Sequence, residues 1–149
     1  MRTINSLLQA SEAVELPFLV ENSLVETRTQ YTDLQKEQLF MGKLSDGEEI
    51  QRIGAKYKGY APRTIREKEK KGQPTDRVTL RDTGEFYFEV FADPRADGIV
   101  VGSADSKSEQ LQEDYGPKIF GLSDDPKQQY INQVRPELVK QMTDQLNKK

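Results

Sequence analysis

Three pieces of sequence between residues 78 and 123 decide the fold: Val78-Thr79-Leu80-Arg81-Asp82-Thr83-Gly84-Glu85-Phe86, then Val100-Val101-Gly102-Ser103, then Tyr115-Gly116-Pro117-Lys118-Ile119-Phe120-Gly121-Leu122-Ser123. The runs Arg77 to Leu80 and Glu85 to Phe91 are aromatic, β-branched and partly alternating, which favours strands. Alternation would place Phe86, Phe88 and Val90 on one face. We therefore predict a strand in each run.

Two turn signals interrupt these runs. Asp82-Thr83-Gly84 is typical of a turn, because Asp or Thr can bond the backbone two residues on while Gly accepts an unusual φ. Asp93-Pro94-Arg95-Ala96-Asp97-Gly98 has the composition of a hairpin loop. We expect an antiparallel pair of strands near residues 85–92 and 98–103.

Longer apolar patterns on both sides predict helices. From Phe18 to Met41 there is no Gly or Pro, and apolar residues recur at helical spacing, so one long amphipathic helix is predicted. Gln38 is interpreted as a polar break in its stripe, and Gly42 as a left-handed stop. Asp125-Pro126 should begin a final helix, which Pro136 should bend.

Two shorter elements complete the pattern. Thr64-Ile65-Arg66-Glu67 has the form of a capping box, and Glu67 stands four residues before Lys71, so an exposed helix is predicted at residues 64–71. Residues 106–113 fit either a short helix or a loop that packs Leu111 as its anchor. The whole chain, residues 1–149, is interpreted as one α+β domain in which a long N-terminal and a C-terminal helix pack on an antiparallel sheet.

The composition narrows the function classes. Hydrophobic residues make up 34% of the chain and charged residues 32%, and there is no cysteine and no histidine. Thiolate chemistry, the commonest zinc ligands and the commonest base near neutral pH are therefore missing. No apolar run approaches the roughly 18 residues of a membrane span, and residues 1–6 lead into no signal-peptide core. We expect the protein to be made and kept in a cytoplasm.

Charge is concentrated in one segment. From Arg52 to Arg81 there are ten basic residues and three acids, a net charge of +7; since the whole chain carries −3, the remainder carries −10. The candidate contact residues are Arg63, Arg66, Lys70 and Lys71. Two interpretations stay open: a solvated helix with charge pairs, or a surface for phosphate or an acidic partner.

The carboxylates and short motifs that could serve catalysis each lack a feature that the chemistry requires. Asp82, Glu85 and Glu89 are close in sequence, but acid–base chemistry needs carboxylates that converge on a pocket. The single Asp82-Thr83-Gly84 lacks the second, facing copy of aspartic proteases. The Asp124-Asp125 pair lacks the spacing of a calcium loop, and no phosphate-loop pattern is present. We therefore predict no enzymatic activity, no cofactor and no metal site.

The order and spacing of the three pieces resemble the tail-completion or virion-morphogenesis proteins of tailed bacteriophages, over roughly the last half of the chain. The match covers Leu80, Thr83, Gly84, Phe86, Gly102, Ser103, Gly116, Phe120, Gly121, Leu122 and Ser123. Many members carry arginine and proline directly before the phenylalanine of the last piece; here Lys118-Ile119 stand there and Pro117 is displaced by one.

The resemblance implies a function. Members of that family are non-enzymatic virion proteins that form a ring in the neck, as part of the head–tail connector between portal and tail, where they seal the DNA channel. The implied partners are further copies of the chain and other phage structural proteins (connector, portal and tail). The basic segment matches no family motif, but its charge favours DNA in the channel or an acidic partner. The alternative is a small cytoplasmic nucleic-acid-binding regulator that uses residues 52–81.

Overall fold

The computed structural model describes residue 5, residues 15–95 and residues 97–148. In chain order its elements are α1 (Leu16–Glu26), α2 (Arg28–Phe40), α3 (Pro62–Lys70), α4 (Glu85–Phe88), β1 (Val90–Arg95), β2 (Gly98–Ser103), α5 (Ser108–Tyr115), a 3-10 helix (Pro117–Ile119) and α6 (Asp124–Lys148). The mixed α+β class is as predicted.

The N-terminal helical region is two helices, so the prediction of one continuous helix is wrong at Thr27. This residue leaves helical geometry, with φ −108° and ψ 10°. Its hydroxyl lies 2.7 Å from the carbonyl of Ser23, to which it donates, and 3.0 Å from the hydroxyl of Tyr130 on α6. A threonine hydroxyl competes with the helix for backbone partners, and the contact with Tyr130 holds the Thr27 hydroxyl in place. The helix is therefore interrupted at Thr27. Gly42 ends α2 with φ +73°, as predicted.

The antiparallel pair of strands is confirmed, with different limits. β1 and β2 pair from Val90 opposite Ser103 to Arg95 opposite Gly98. The residues Asp93 to Arg95, predicted to be loop, continue β1, so the connection is tighter than expected; Ala96 lies outside the described residues.

The run Glu85 to Phe88 is helical, and its prediction as strand is wrong. Gly84 has φ +96°, which turns the chain, and its carbonyl accepts a hydrogen bond from the Phe88 amide at 3.0 Å. As a result Phe86 is buried, with 5% of its surface exposed, whereas Phe88 is 82% exposed. The shared face predicted for Phe86, Phe88 and Val90 does not exist.

The run Arg77 to Leu80 is also not a strand. The amide of Thr79 donates to the Tyr60 hydroxyl at 2.8 Å, and the Tyr87 hydroxyl donates to the Thr79 carbonyl. Two tyrosine side chains thus supply the hydrogen bonds that this buried backbone would otherwise make with a neighbouring strand. Leu80 then takes φ +56°, which ends the extended run.

The remaining helices differ from prediction in detail. α3 begins at Pro62 rather than Thr64, so the predicted capping box is absent, and proline occupies the first turn instead. Glu67 pairs with Arg63 at 3.1 Å and not with Lys71. Leu111 on α5 packs on the core as the predicted anchor. α6 runs through Pro136 as one helix; the bend there stays a prediction.

Two hydrophobic clusters hold these elements together. The first consists of Leu39, Ile50, Val78, Leu80, Phe86 and Ile119. The second consists of Leu34, Leu122 and Tyr130, with Leu24, Tyr31, Ile99 and Val134 packed against it. α1 and α2 contact β1, and α6 contacts both helices. Ile99 of β2 packs against the cluster that contains Tyr130 of α6, so the N-terminal and C-terminal helices pack against the sheet as predicted.

Gly84→Val should lower the free energy of unfolding by about 1 kcal/mol or more, because a side chain opposes its positive φ. No atom lies within 4 Å of a Cβ built at Gly84, so the loss reports the backbone alone. Urea unfolding measures it. Gly59→Val is the control, because Gly59 has equal space and no positive φ. An unchanged melting temperature for Gly84→Val would contradict this role.

Candidate functional site

The three pieces that carry the resemblance meet in space. The Ser103 hydroxyl donates to the Phe86 carbonyl at 2.9 Å, which ties the second piece to the first. The rings of Phe86 and Phe120 lie 5.9 Å apart, which ties the third piece to the first. Leu80 belongs to the same cluster as Phe86. These matched residues therefore share one packed framework.

Other matched residues serve turns and close approaches. Thr83 lies on the exposed turn before Gly84, and its hydroxyl accepts from the Glu85 amide at 3.5 Å. Gly102 lies under the ring of Phe91: a Cβ there would stand 2.9 Å from Phe91 Cζ. Glycine at this cross-strand position leaves room for the close approach of the aromatic ring.

Two buried glutamines of α2 hold the segment from Ile119 to Ser123. Gln35 donates to the Ile119 carbonyl at 3.1 Å and accepts from the Gly121 amide at 2.8 Å. Gln38 donates to the Gly121 carbonyl at 2.8 Å and accepts from the Ser123 amide at 2.8 Å. We call this arrangement the glutamine latch. The side-chain amides of these two glutamines bond the backbone from Ile119 to Ser123 as a neighbouring strand would.

The latch corrects the interpretation of Gln38 as a mere break in an apolar stripe. The Ser123 hydroxyl also donates to Gln38, at 3.0 Å, and Leu122 between the latched residues is buried. The sequence does carry a signal for this contact, namely two glutamines three residues apart within an apolar stripe. When such a polar pair is buried, its side chains need hydrogen-bond partners.

The loop around Gly116 to Gly121 also binds a second segment. The Ser45 amide donates to the Lys118 carbonyl at 2.8 Å, and Lys118 pairs with Asp46 at 2.8 Å, which holds the pKa of Asp46 below its usual range. Gly121 has φ +104°, and a Cβ there would lie 3.2 Å from Ser45 Cβ. Gly116 likewise has φ +89°, so both matched glycines occupy positions where a side chain is strained.

Part of the basic segment is used inside the fold. Lys68 is buried, donates to Gln73 at 3.1 Å and to the Arg81 carbonyl, and lies 4.7 Å from the ring centre of Tyr60. Arg77 donates to the Phe40 carbonyl at 2.7 Å. These cations secure α3 and the end of α2.

Exposed cations remain along α3. Arg63, Arg66 and Lys70 are spaced by three and four residues, so they follow one side of the helix, which we call the basic stripe. Arg63 pairs with Glu67, whereas Arg66 and Lys70 form no ion pair with any residue the structure describes. The fourth candidate, Lys71, pairs with Asp82 and lowers the pKa of that carboxyl.

The acidic candidates for catalysis lie on the surface. Asp82, Glu85 and Glu89 are exposed. Among residues 5, 15–95 and 97–148, no group of three or more acidic, histidine or cysteine side chains is placed to hold a metal ion. Within those same ranges, no helix combines the length and apolar character needed to cross a bilayer.

Comparison of this chain with models of protein families, with curated proteins and with solved structures found no match.

Proposed function

We propose that this chain is a non-enzymatic structural protein of a tailed-phage virion, which forms a ring in the neck between portal or connector and tail. There it helps to join tail to head and to seal the DNA channel. The observation that carries the proposal is the meeting of the three resembling pieces in one packed framework, through Phe86, Ser103, Phe120 and the glutamine latch.

The roles of the matched residues support an architectural motif. Leu80, Phe86 and Leu122 are buried in the two clusters. Ser103 and Ser123 have their hydroxyls engaged in hydrogen bonds to the framework. Such a motif specifies a scaffold rather than a reactive centre, and a scaffold is what an assembly protein requires.

Exposed apolar side chains supply surface for assembly. Phe88, Ile53, Met41 and Val139 each leave more than half of their surface in solvent. Large exposed apolar side chains mark protein interfaces when they group together. Burial between subunits would then complete the packing of a chain with only 34% hydrophobic residues.

The second candidate, a nucleic-acid-binding regulator, is supported by the basic stripe of α3. Its case is weakened by the cations that the fold already uses, namely Lys68, Arg77, Lys71 and Arg52. A regulator should bind duplex DNA with a steep dependence on salt. A neck protein should bind DNA weakly and associate with virion proteins.

Changing Arg63, Arg66, Lys70 and Lys71 together to glutamine should leave folding intact and impair particle assembly or DNA retention. Folding should survive because exposed ion pairs contribute about 1 kcal/mol or less. The measurement is the titre of infectious particles when the variant replaces the natural protein. The matched control changes four exposed cations of α6 to glutamine: Lys127, Arg135, Lys140 and Lys148. A normal titre for the first variant would leave the stripe as a solvated face.

A further inference from the structure

A groove runs between the end of α2 and the start of α6. It has a volume of about 500 Å³, and its apolar lining includes Leu34, Met41 and Pro126. Met41 is 55% exposed, so this floor is open to solvent. The groove lies directly beside the glutamine latch, because Gln38 and Ser123 also line it.

The groove has an acidic rim. Glu37 and Asp125 line it, together with Lys43, and Asp124 precedes Asp125 in the chain. Neither Glu37 nor Asp125 forms an ion pair within the part of the chain that the structure describes. Glu37 lies in the last turn of α2, where the helix dipole disfavours an acid and where no basic residue compensates it. At the rim two acids therefore stand against one lysine, and neither acid is paired.

A surface of the opposite character lies on the loop of residues 51–59, which we call the basic loop. Every residue of this loop is exposed. Its apolar side chains, Ile53 and Tyr57, are 66% and 46% exposed. They alternate with Arg52, Lys56 and Lys58, and no acid occurs in the loop.

The basic loop is held in place at its base. The Ile53 amide donates to the Asp114 carbonyl at 2.8 Å, and Arg52 pairs with the Asp114 carboxylate at 3.4 Å. The Ala55 amide donates to the Arg52 carbonyl at 3.1 Å. These contacts order residues 52–55, which lowers the conformational entropy lost when Ile53 docks.

We infer that the basic loop of one copy docks in the α2–α6 groove of a second copy, so that copies associate head to tail. Ile53 and Tyr57 would cover the apolar floor, and Lys56 and Lys58 would face Glu37 and Asp125. The two surfaces share no residue, so each copy can use both at once, and repetition gives a closed ring or an open chain. The inference rests on the proposed function in that it names the contact from which a ring is built.

Charge reversal on each surface tests the contact. The loop variant is Lys56→Glu with Lys58→Glu, the groove variant is Glu37→Lys with Asp125→Lys, and the control is Lys140→Glu with Lys148→Glu. Analytical ultracentrifugation from about 1 μM to about 1 mM measures self-association of the full chain. We expect wild type and control to associate, more weakly at high salt, and each test variant to associate about tenfold or more weakly.

Self-association of a mixture of the two variants is the decisive measurement. In an equimolar mixture, one contact joins a natural loop to a natural groove, and the next joins a reversed loop to a reversed groove. Association should return to near the wild-type level. Circular dichroism checks folding. If reversal unfolds the groove variant, Glu37→Gln with Asp125→Asn replaces it, and recovery in the mixture then means formation of heterodimers through the one natural loop–groove contact.

Four results would overturn the inference. Three concern self-association: a wild type that is monomeric at about 1 mM, variants that associate like wild type, or a mixture that does not recover. The fourth is a groove variant that blocks particle assembly while its self-association is unchanged. The last would assign the groove to another virion protein. If deletion of the gene still yields heads without tails, the proposed function survives such a result. If self-association behaves as expected but particles lack the protein, the proposed function fails alone.

Discussion

Replacing Gln38 with leucine is expected to lower the free energy of unfolding by about 3 kcal/mol. Leucine fills much of the same buried space, but it can neither donate to the Gly121 carbonyl nor accept from the Ser123 amide and hydroxyl. Those groups would lose their partner beside the packed Leu122 side chain. Two backbone groups and one hydroxyl, all part-buried, lose their partner together. A single buried group left unpaired costs about 1–3 kcal/mol, so the combined loss exceeds that of an ordinary surface change.

Urea unfolding followed by circular dichroism measures this loss. Gln133→Leu on α6 is the matched control, because Gln133 is exposed, and its stability should change by less than about 0.5 kcal/mol. Gln35→Leu should resemble Gln38→Leu, since Gln35 bonds the Ile119 carbonyl and the Gly121 amide. Equal stability of Gln38→Leu and Gln133→Leu would mean that the latch does not hold the segment.

Truncating Phe86 to alanine is expected to cost about 3–5 kcal/mol, as is usual for a buried aromatic residue. Phe86 packs in the first cluster, and its ring lies near those of Tyr87 and Phe120. Phe88, two residues later, is 82% exposed. Phe88→Ala should therefore change stability by less than about 0.5 kcal/mol.

This pair of variants also separates helix from strand at α4. In a strand, Phe86 and Phe88 would share a face and be buried alike. The loss of unfolding free energy, measured in the same denaturant, should be several times larger for Phe86→Ala than for Phe88→Ala. Similar losses for both variants would contradict the helical turn and restore the alternation predicted from the sequence.

The antiparallel pair was predictable because the run Ile99 to Val101 is β-rich and the turn residues before it are strong local signals. The helical turn of α4 was not, because Phe86 and Tyr87 have strand-like propensities. The turn at Gly84 is a local signal, but the burial of Phe86 after it depends on tertiary packing. The break at Thr27 is similar, since it depends on the distant Tyr130.

The candidate contact residues were partly predictable. A helix with exposed Arg63, Arg66 and Lys70 follows from local sequence, and the structure has it. The burial of Lys68 does not follow, because its partners, Gln73 and the Arg81 carbonyl, come from the chain beyond the helix. The groove was invisible to sequence patterns because it forms only when α2 and α6 meet.

The proposed place in the virion neck is tested most directly by electron microscopy of particles assembled with and without this gene. With the gene present, we expect ring density between portal and tail into which the described fold fits. Without it, we expect heads that lack attached tails and lose that density. Tails that remain attached, with unchanged density in the neck, would contradict the proposal.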